Sequence, residues 1–172
     1  MASLQTSIAV GDLPVSALLQ KYVYPGAYTD CYFAEVARSV SLPDYIEAFY
    51  TTWVFKLERF ILTHAVDKPS TDPDAHRLAR AELDAFAAWT VEGRAPDQLL
   101  MCDFLSRTRS WLMVLPIEGG TRLYFGSAVV PVRRKSGELA LGSSYVSLMG
   151  FHKLYSRILL RSARSLLTRK SV

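Results

Sequence analysis

The chain has 172 residues, of which 50% are apolar and 12% aromatic, and its formal net charge is +4. This length and composition are typical of one globular domain, and they exclude a disordered chain. No apolar run reaches the roughly 20 residues that a membrane-spanning helix needs. The first residues lack the basic and apolar regions of a secretory signal, so we expect a cytoplasmic protein.

The positive charge is concentrated in the last quarter of the chain. Residues 133–172 hold nine basic residues and one acid, a net charge of +8, whereas the remainder carries −4. Such an asymmetry is found in chains that contact a membrane surface or nucleic acid, although a solvated basic face is the simpler interpretation.

The first half of the chain predicts a strand followed by helices. A run rich in aromatic and β-branched residues predicts a strand over 28–37. Ser41, with Asp44 three residues later, is typical of a helix start, and one long helix or a helix pair is predicted over 42–64. Its apolar residues recur at helical spacing: Leu42, Tyr45, Ile46, Phe49, Trp53, Leu57, Phe60 and Ile61. A polar loop and a weaker helix ending near Asp84 follow.

Antiparallel strands are predicted over 86–132, where the apolar pattern changes to a period of two. Gly119-Gly120 indicates a two-residue hairpin loop, because such loops need positive φ. With that loop, Trp111 lies opposite Ala128 and diagonal to Gly126, which leaves room for the indole ring.

Both faces of this hairpin are apolar, so both need cover. One face carries Trp111, Met113, Leu115 and Tyr124, and the other carries Leu112, Val114, Leu123, Phe125 and Val129. Helices can cover one face. The second face implies a partner, a homodimer interface or the remaining chain.

A basic amphipathic helix is predicted over 147–168. Its apolar stripe consists of Phe151, Leu154, Tyr155, Ile158, Leu159 and Leu166, and its basic stripe of Lys153, Arg157, Arg161 and Arg164. The basic stripe is either a solvated face or a contact with anionic lipid headgroups. Nucleic-acid binding is disfavoured because the chain has no recognisable recognition motif.

The order of the predicted elements resembles the START-like (helix-grip, SRPBCC-type) superfamily, and four segments of the second half resemble an uncharacterised bacterial family of unknown function within it. These segments are AAWTVEGRAPDQLLM, WLMVLP, GGTRLYF and FHKLYSRILL, within residues 86–163. The resemblance implies a single α+β domain over residues 1–172, with a curved antiparallel sheet that wraps a long C-terminal helix. It also implies a cavity between sheet and helix, but it supplies no catalytic residues.

The resemblance and the residue types together suggest a site for an apolar or amphipathic small molecule in that cavity. Trp89, Trp111 and Tyr124 are the candidate walls, Arg109 is the candidate anion anchor, and His152 is a polar group on the helix. Each has a structural alternative. The aromatic residues are ordinary core residues in that interpretation, His152 packs the helix, and Arg109 pairs with a nearby acid.

An enzyme of the cyclase or dehydratase type is the alternative from another class, with His152 and Asp103 as acid–base candidates. The sequence contains no nucleophile elbow, phosphate loop or zinc motif, so we expect neither a metal nor a cofactor. His64 and His76 are predicted at a helix end and in a loop. Cys31 and Cys102 belong to no metal pattern and are predicted to be reduced core thiols.

Overall fold

The fold is known from a computed structural model, which describes the backbone of residues 4–57, 59, 69–133, 139–140 and 143–169. Side chains are described for 4–57, 59, 69–131 and 153–169. The strands are β1 (Ala9–Val10), β2 (Tyr28–Val36), β3 (Ala85–Phe86), β4 (Trp89–Ala95), β5 (Gln98–Asp103), β6 (Thr108–Ile117), β7 (Gly120–Val129), β8 (Val132–Arg133) and β9 (Leu139–Ala140). The helices are a 3-10 helix (Leu18–Tyr22), α1 (Leu42–Tyr50), α2 (Asp72–Ala79) and α3 (Ser143–Arg169).

Seven of these strands form one curved antiparallel sheet in the order β1-β2-β7-β6-β5-β4-β3. Strands β8 and β9 form a separate two-stranded hairpin. The predicted α+β class, the strand over 28–37 and the C-terminal helix over 147–168 are confirmed, and the helix begins four residues earlier than predicted.

Of the two alternatives predicted over 42–64, one long helix or a helix pair, the described residues favour the pair, because the helix is interrupted at residues 51–52. Helix α1 begins at Leu42, after the N-cap Ser41, whose hydroxyl accepts a hydrogen bond from the backbone N–H of Asp44, and it ends at Tyr50. Residues 53–57 and 59 are again helical. Trp53 and Leu57 are 69% and 54% exposed, so their predicted place in one apolar stripe is wrong. After the interruption, the chain buries Val54 and Phe55 instead. Phe60 and Ile61 lie outside the described residues.

Helix α2 has a complete capping box. Thr71 accepts the backbone N–H of Asp74, and the Asp74 carboxylate accepts the backbone N–H of Thr71. The helix ends at Ala79, not near Asp84, and it contains His76. The prediction of His76 in a loop is therefore wrong, because the capping box at Thr71 starts a helix that includes this residue.

The β6–β7 hairpin differs from the predicted register by two residues. Ile117 pairs with Gly120, so the loop is Glu118-Gly119, and Gly119 has a φ of +77°. Gly120 is instead the first strand residue, where an added Cβ would lie 2.0 Å from the carbonyl oxygen of Val36. Because the shift is two residues, each side chain keeps its predicted face.

The two apolar faces of the sheet have different covers. The inner face packs on the helices, and its core includes Phe49, Leu99, Leu112, Phe125 and Leu160. The outer face carries Leu100, Trp111, Met113, Tyr124 and Ala128, packed against Ala17 and Leu19 of the N-terminal segment. The remaining chain therefore supplies the second cover, and this face does not require a dimer.

Candidate ligand-binding site

The aromatic residues predicted as walls lie on opposite faces of the sheet. Trp111 and Tyr124 belong to the outer-face core, with ring centroids 6.0 Å apart, and Trp111 is fully buried. Trp89 is half-buried and packs against the inner-face core. Trp111 and Tyr124 therefore do not line the space between the sheet and helix α3.

The predicted anion anchor, Arg109, is paired within the chain. Its Nε lies 2.5 Å from a carboxylate oxygen of Glu92, and it also donates to the hydroxyl of Tyr22 at 2.9 Å. The same carboxylate forms an ion pair with Lys21 at 2.6 Å and accepts a hydrogen bond from the Tyr22 hydroxyl. These contacts fasten the 3-10 helix to strands β4 and β6.

Burial and the contacts of this cluster shift the pKa values of Tyr22 and Glu92. Burial and the hydrogen bond to Glu92 raise the pKa of Tyr22 to about 12. Burial alone would raise the pKa of Glu92, but the hydrogen bonds from Lys21 and Tyr22 and the charge of Arg109 hold it below its ordinary value. The cluster is thus a satisfied ion network with an anionic Glu92 at its centre.

Of the two acid–base candidates, Asp103 and His152, only Asp103 has a described side chain. Asp103 ends β5, and its Oδ1 accepts the backbone N–H groups of Arg107 and Thr108, at 2.6 and 2.9 Å, across the turn to β6. His152 is a residue of helix α3, but its side chain lies outside the described residues. The described role of Asp103 is therefore to shape a turn.

Side chains fill the described interior between the sheet and helix α3. Leu159, Leu160, Ala163 and Leu167 are at most 3% exposed, and they face the core that includes Phe49. Aromatic rings from α1, the following helical residues and β3 are also packed there, with centroids as close as 4.8 Å. Open space along this helix lies at the edge of the sheet and, near Leu166, beside α1 and α2.

The edge of the sheet is built by the N-terminal segment. The backbone of Gln5 makes two hydrogen bonds with Glu35 of β2. Its N–H donates to the Glu35 carboxylate, and its carbonyl accepts the Glu35 backbone N–H. Further along, β1 pairs with β2, and the N–H of Gly11 donates to the carbonyl of Cys31. This segment and helix α3 form the two walls of what we call the edge groove.

The wide end of the edge groove has a volume of about 710 Å³. Its apolar and aromatic lining comprises Val10, Leu13, Val23, Tyr28, Tyr32 and Leu154. Val10, Val23 and Leu154 are 66%, 51% and 57% exposed. Such exposed apolar side chains around one concavity are typical of a surface that contacts another molecule. Asp12, Asp30 and Lys153 supply charge at its rim.

The arginine end of the edge groove has a volume of about 520 Å³ and shares Leu154 and Arg157 with the wide end. Its described lining is Thr6, Ser7, Ile8, Leu154, Arg157, Ile158, Arg161 and Arg164. The three arginines follow one another at helical spacing, and no acid contributes to this described lining. Three of the four residues of the predicted basic stripe therefore face one concavity.

Neutral groups hold two of these guanidinium groups. The Nε of Arg164 donates to the backbone carbonyl of Glu35 at 3.0 Å. The guanidinium of Arg157 lies 5.6 Å from the ring centroid of Tyr32. Among the described residues, no acid forms an ion pair with Arg157, Arg161 or Arg164. Neutral groups therefore orient Arg157 and Arg164 without neutralising their charges.

Glu35 contacts both walls of the edge groove, Gln5 on one and Arg164 on the other, but its carboxylate does not pair with the arginines of helix α3. Its carboxylate lies 2.7 Å from Arg122 and accepts the backbone N–H of Gln5 at 2.6 Å. The hydrogen bond from Gln5 and the pairing with Arg122 lower the pKa of Glu35 despite its burial. Glu35 thus offers only its backbone carbonyl to Arg164.

Sequence reasoning missed two features of the molecule. Thr6, Ser7 and Ile8 form one wall of the groove, but their sequence has no periodic pattern that would place them there. The other feature is a contact between His76 Nδ1 and the Glu47 carboxylate at 2.8 Å, which joins α2 to α1. The capping box at Thr71 could have placed His76 on a helix, but it does not identify this partner.

Neither a metal centre nor a membrane span is found in the described part of the chain. No three histidine, cysteine, aspartate or glutamate side chains come together there as a metal site. No helix among the described residues is long and apolar enough to cross a membrane. Cys31 and Cys102 are free and buried thiols, as predicted.

Comparison with known proteins assigns no family to the chain. No family model matches it, and no curated protein matches it. Among solved structures, it is similar to the crystal structure of protein Ms6760 from Mycobacterium smegmatis, with 11% identity and a TM-score of 0.41. That likeness covers 94% of this chain and 99% of the other, and at this TM-score it carries no argument about function.

Proposed function

We propose that the chain is a START-like, helix-grip domain that binds an amphipathic small molecule in the edge groove. The order of elements supports the superfamily: a strand, helices, a run of antiparallel strands and a long C-terminal helix. Helix α3 also packs on β2 and β7, as expected when a sheet wraps its last helix. The ligand lies at the edge of the sheet in this proposal, because the described interior is filled.

One observation carries the proposal. Val10, Val23 and Leu154 come from β1, the end of the 3-10 helix and helix α3, yet all three are exposed and line the same groove. Burying one such side chain against a ligand contributes about 1.5–3 kcal/mol. A hydrocarbon chain in the wide end would cover all three, while its polar head remains near the basic side chains.

The test is a binding measurement with a matched pair of variants. We would purify the protein from its own host, record its native mass, and then titrate a fluorescent single-chain fatty acid. Leu154→Asn should weaken binding about tenfold or more, because it removes apolar cover from the groove. Leu105→Asn is the control, since Leu105 is equally exposed, at 57%, but lies in the β5–β6 turn. Equal effects of both variants, or no binding to the unaltered protein, would refute the proposal.

Docking on an anionic membrane is the second candidate, and the unpaired arginines of helix α3 favour it. Each basic residue near an anionic lipid surface contributes about 1 kcal/mol, and salt screens this attraction. We would measure co-sedimentation with vesicles that contain phosphatidylserine, at low and high salt. Binding that is absent, or that is unchanged by salt, would argue against this candidate.

A further inference from the structure

The arginine end of the edge groove brings together three cationic side chains whose mutual repulsion lowers the stability of helix α3. Arg157 and Arg161 are four residues apart, and Arg164 is three residues further along. Like charges at these spacings destabilise a helix, and no acid among the described residues offsets them. Their grouping is therefore not explained by the stability of α3, and it suggests an anionic ligand.

The charge and the geometry of the site indicate a phosphate rather than a carboxylate. One arginine can satisfy one carboxylate through two parallel hydrogen bonds. Three guanidinium groups, with the hydroxyl-bearing residues Thr6 and Ser7 on the opposite wall, fit a dianion with three terminal oxygens. Arg164 and Arg157 are already oriented by Glu35 and Tyr32, which reduces the entropy lost when they bind.

We propose that the arginine end binds the phosphate of a single-chain phosphate monoester whose hydrocarbon chain lies in the wide end. Leu154 and Arg157 line both ends, so a head at one end and a chain at the other belong to one continuous groove. This inference rests on the proposed function, since it names the ligand class of the same groove. It commits to a dispersed amphiphile and not to a bilayer.

The probes are dodecyl phosphate, dodecanoate and dodecanol, each below its micelle concentration and titrated by calorimetry at low and moderate salt. Dodecyl phosphate should bind at least about tenfold more tightly than the other two, and its affinity should fall as salt rises. Equal affinity for all three probes would overturn the phosphate inference and leave the proposed function intact. No binding of any probe would refute both.

Variants on helix α3 provide the matched comparison. Arg161→Gln should weaken dodecyl phosphate binding about tenfold or more, with dodecanol binding unchanged. Arg161 is exposed, and its side chain makes no hydrogen bond or ion pair with the described residues, so this variant should fold normally. Arg169→Gln removes the same charge from the same helix outside the groove lining and should leave the affinity unchanged. Equal losses in both variants would show only a general effect of charge and would overturn the proposal.

A vesicle arm separates the two sources of a phosphate. We would compare phosphatidylcholine vesicles with and without phosphatidic acid against dispersed dodecyl phosphate. Binding to dispersed dodecyl phosphate supports the proposal, whether or not the vesicles also bind. Binding to phosphatidic acid vesicles without binding to the dispersed probe would overturn it in favour of a membrane surface.

Discussion

Trp111 lies directly opposite Gly126 in the β6–β7 ladder, and the indole occupies the space that a side chain at 126 would need. A Cβ added to Gly126 would lie 2.9 Å from Trp111 Cε3, 2.9 Å from the carbonyl oxygen of Asp30 and 3.0 Å from Leu19. The sheet face, the neighbouring strand and the N-terminal segment therefore meet at one glycine.

Gly126→Ala should destabilise the protein by about 1–3 kcal/mol, because the ring and a backbone carbonyl must both move. Gly93→Ala is the matched control, since a Cβ there would be 3.6 Å from Leu18, an ordinary contact. Chemical denaturation of both variants measures the difference. Equal stability of the two variants would contradict this account of the packing.

Gln98 fastens the N-terminal segment to the sheet. Its buried amide oxygen accepts the N–H of Leu18 and the indole N–H of Trp111, each at 2.8 Å, and its Nε2 donates to the carbonyl of Ser16. Gln98→Leu should cost at least about 2 kcal/mol, because it leaves these polar groups without their partner. Faster amide exchange at Leu18 would show that the segment loosens.

Gln20→Leu is the control for that variant. Gln20 belongs to the same 3-10 helix, but it is exposed, and its side chain makes no hydrogen bond with the described residues. We expect a change in unfolding free energy within about 0.5 kcal/mol. A loss as large as that of the Gln98 variant would mean that any apolar change in this region is harmful.

Arg109 and Glu92 should behave as an energetically coupled pair. Both are largely buried, with side chains 11% and 20% exposed. Arg109→Met and Glu92→Gln should each lower the unfolding free energy, and the double variant should reveal a coupling of about 1–3 kcal/mol. The absence of coupling in urea denaturation, together with a loss of ligand affinity in Arg109→Met, would instead restore Arg109 as an anion anchor.

The stability of the protein should fall below about pH 4.3 partly through Glu35. Because the folded-state pKa of Glu35 is below its unfolded value of about 4.3, its contribution is fully present above that pH. It is lost as pH falls through the lower, folded pKa. Melting temperatures from pH 7 to pH 3 should therefore show that Glu35→Gln destabilises the protein most at neutral pH and least at acid pH.

Glu118→Gln controls for the loss of one negative charge. Glu118 is exposed in the β6–β7 turn and forms no ion pair with the described residues. If the two glutamine variants lowered the melting temperature equally at every pH, then net charge rather than the pairing of Glu35 with Gln5 and Arg122 would explain the effect.

The regular elements could be predicted because each has a local pattern. The period of two in β6 and β7 assigned each side chain to its face even though the register was wrong by two residues. Adjacent glycines offer two possible loops, and only the close approach of Gly120 to Val36, far away in sequence, decides between them. Long-range contacts of this kind leave no local signal.

Only the wall of the edge groove that helix α3 supplies could be predicted from the sequence. Helical spacing grouped Arg157, Arg161 and Arg164 on one stripe, but the sequence does not show what that stripe faces. The opposite wall near Ser7 is irregular backbone, and it is positioned by hydrogen bonds between Gln5 and Glu35. Similarly, apolar residues on both hairpin faces predicted two covers without identifying Leu19 as part of the second.

The N-terminal cover of the outer face also sets an order of assembly during synthesis. Leu18 and its partner Gln98 are 80 positions apart, so a ribosome that adds about 5–20 residues per second makes the first roughly 4–16 s before the second. Strand β2 must likewise wait for β7, whereas β4 to β7 are joined by short turns and can pair as they emerge. Residues that leave the ribosome before strands β4 to β7 are thus among the last to reach their native places, and during that interval the apolar outer face of the nascent sheet is open to chaperones.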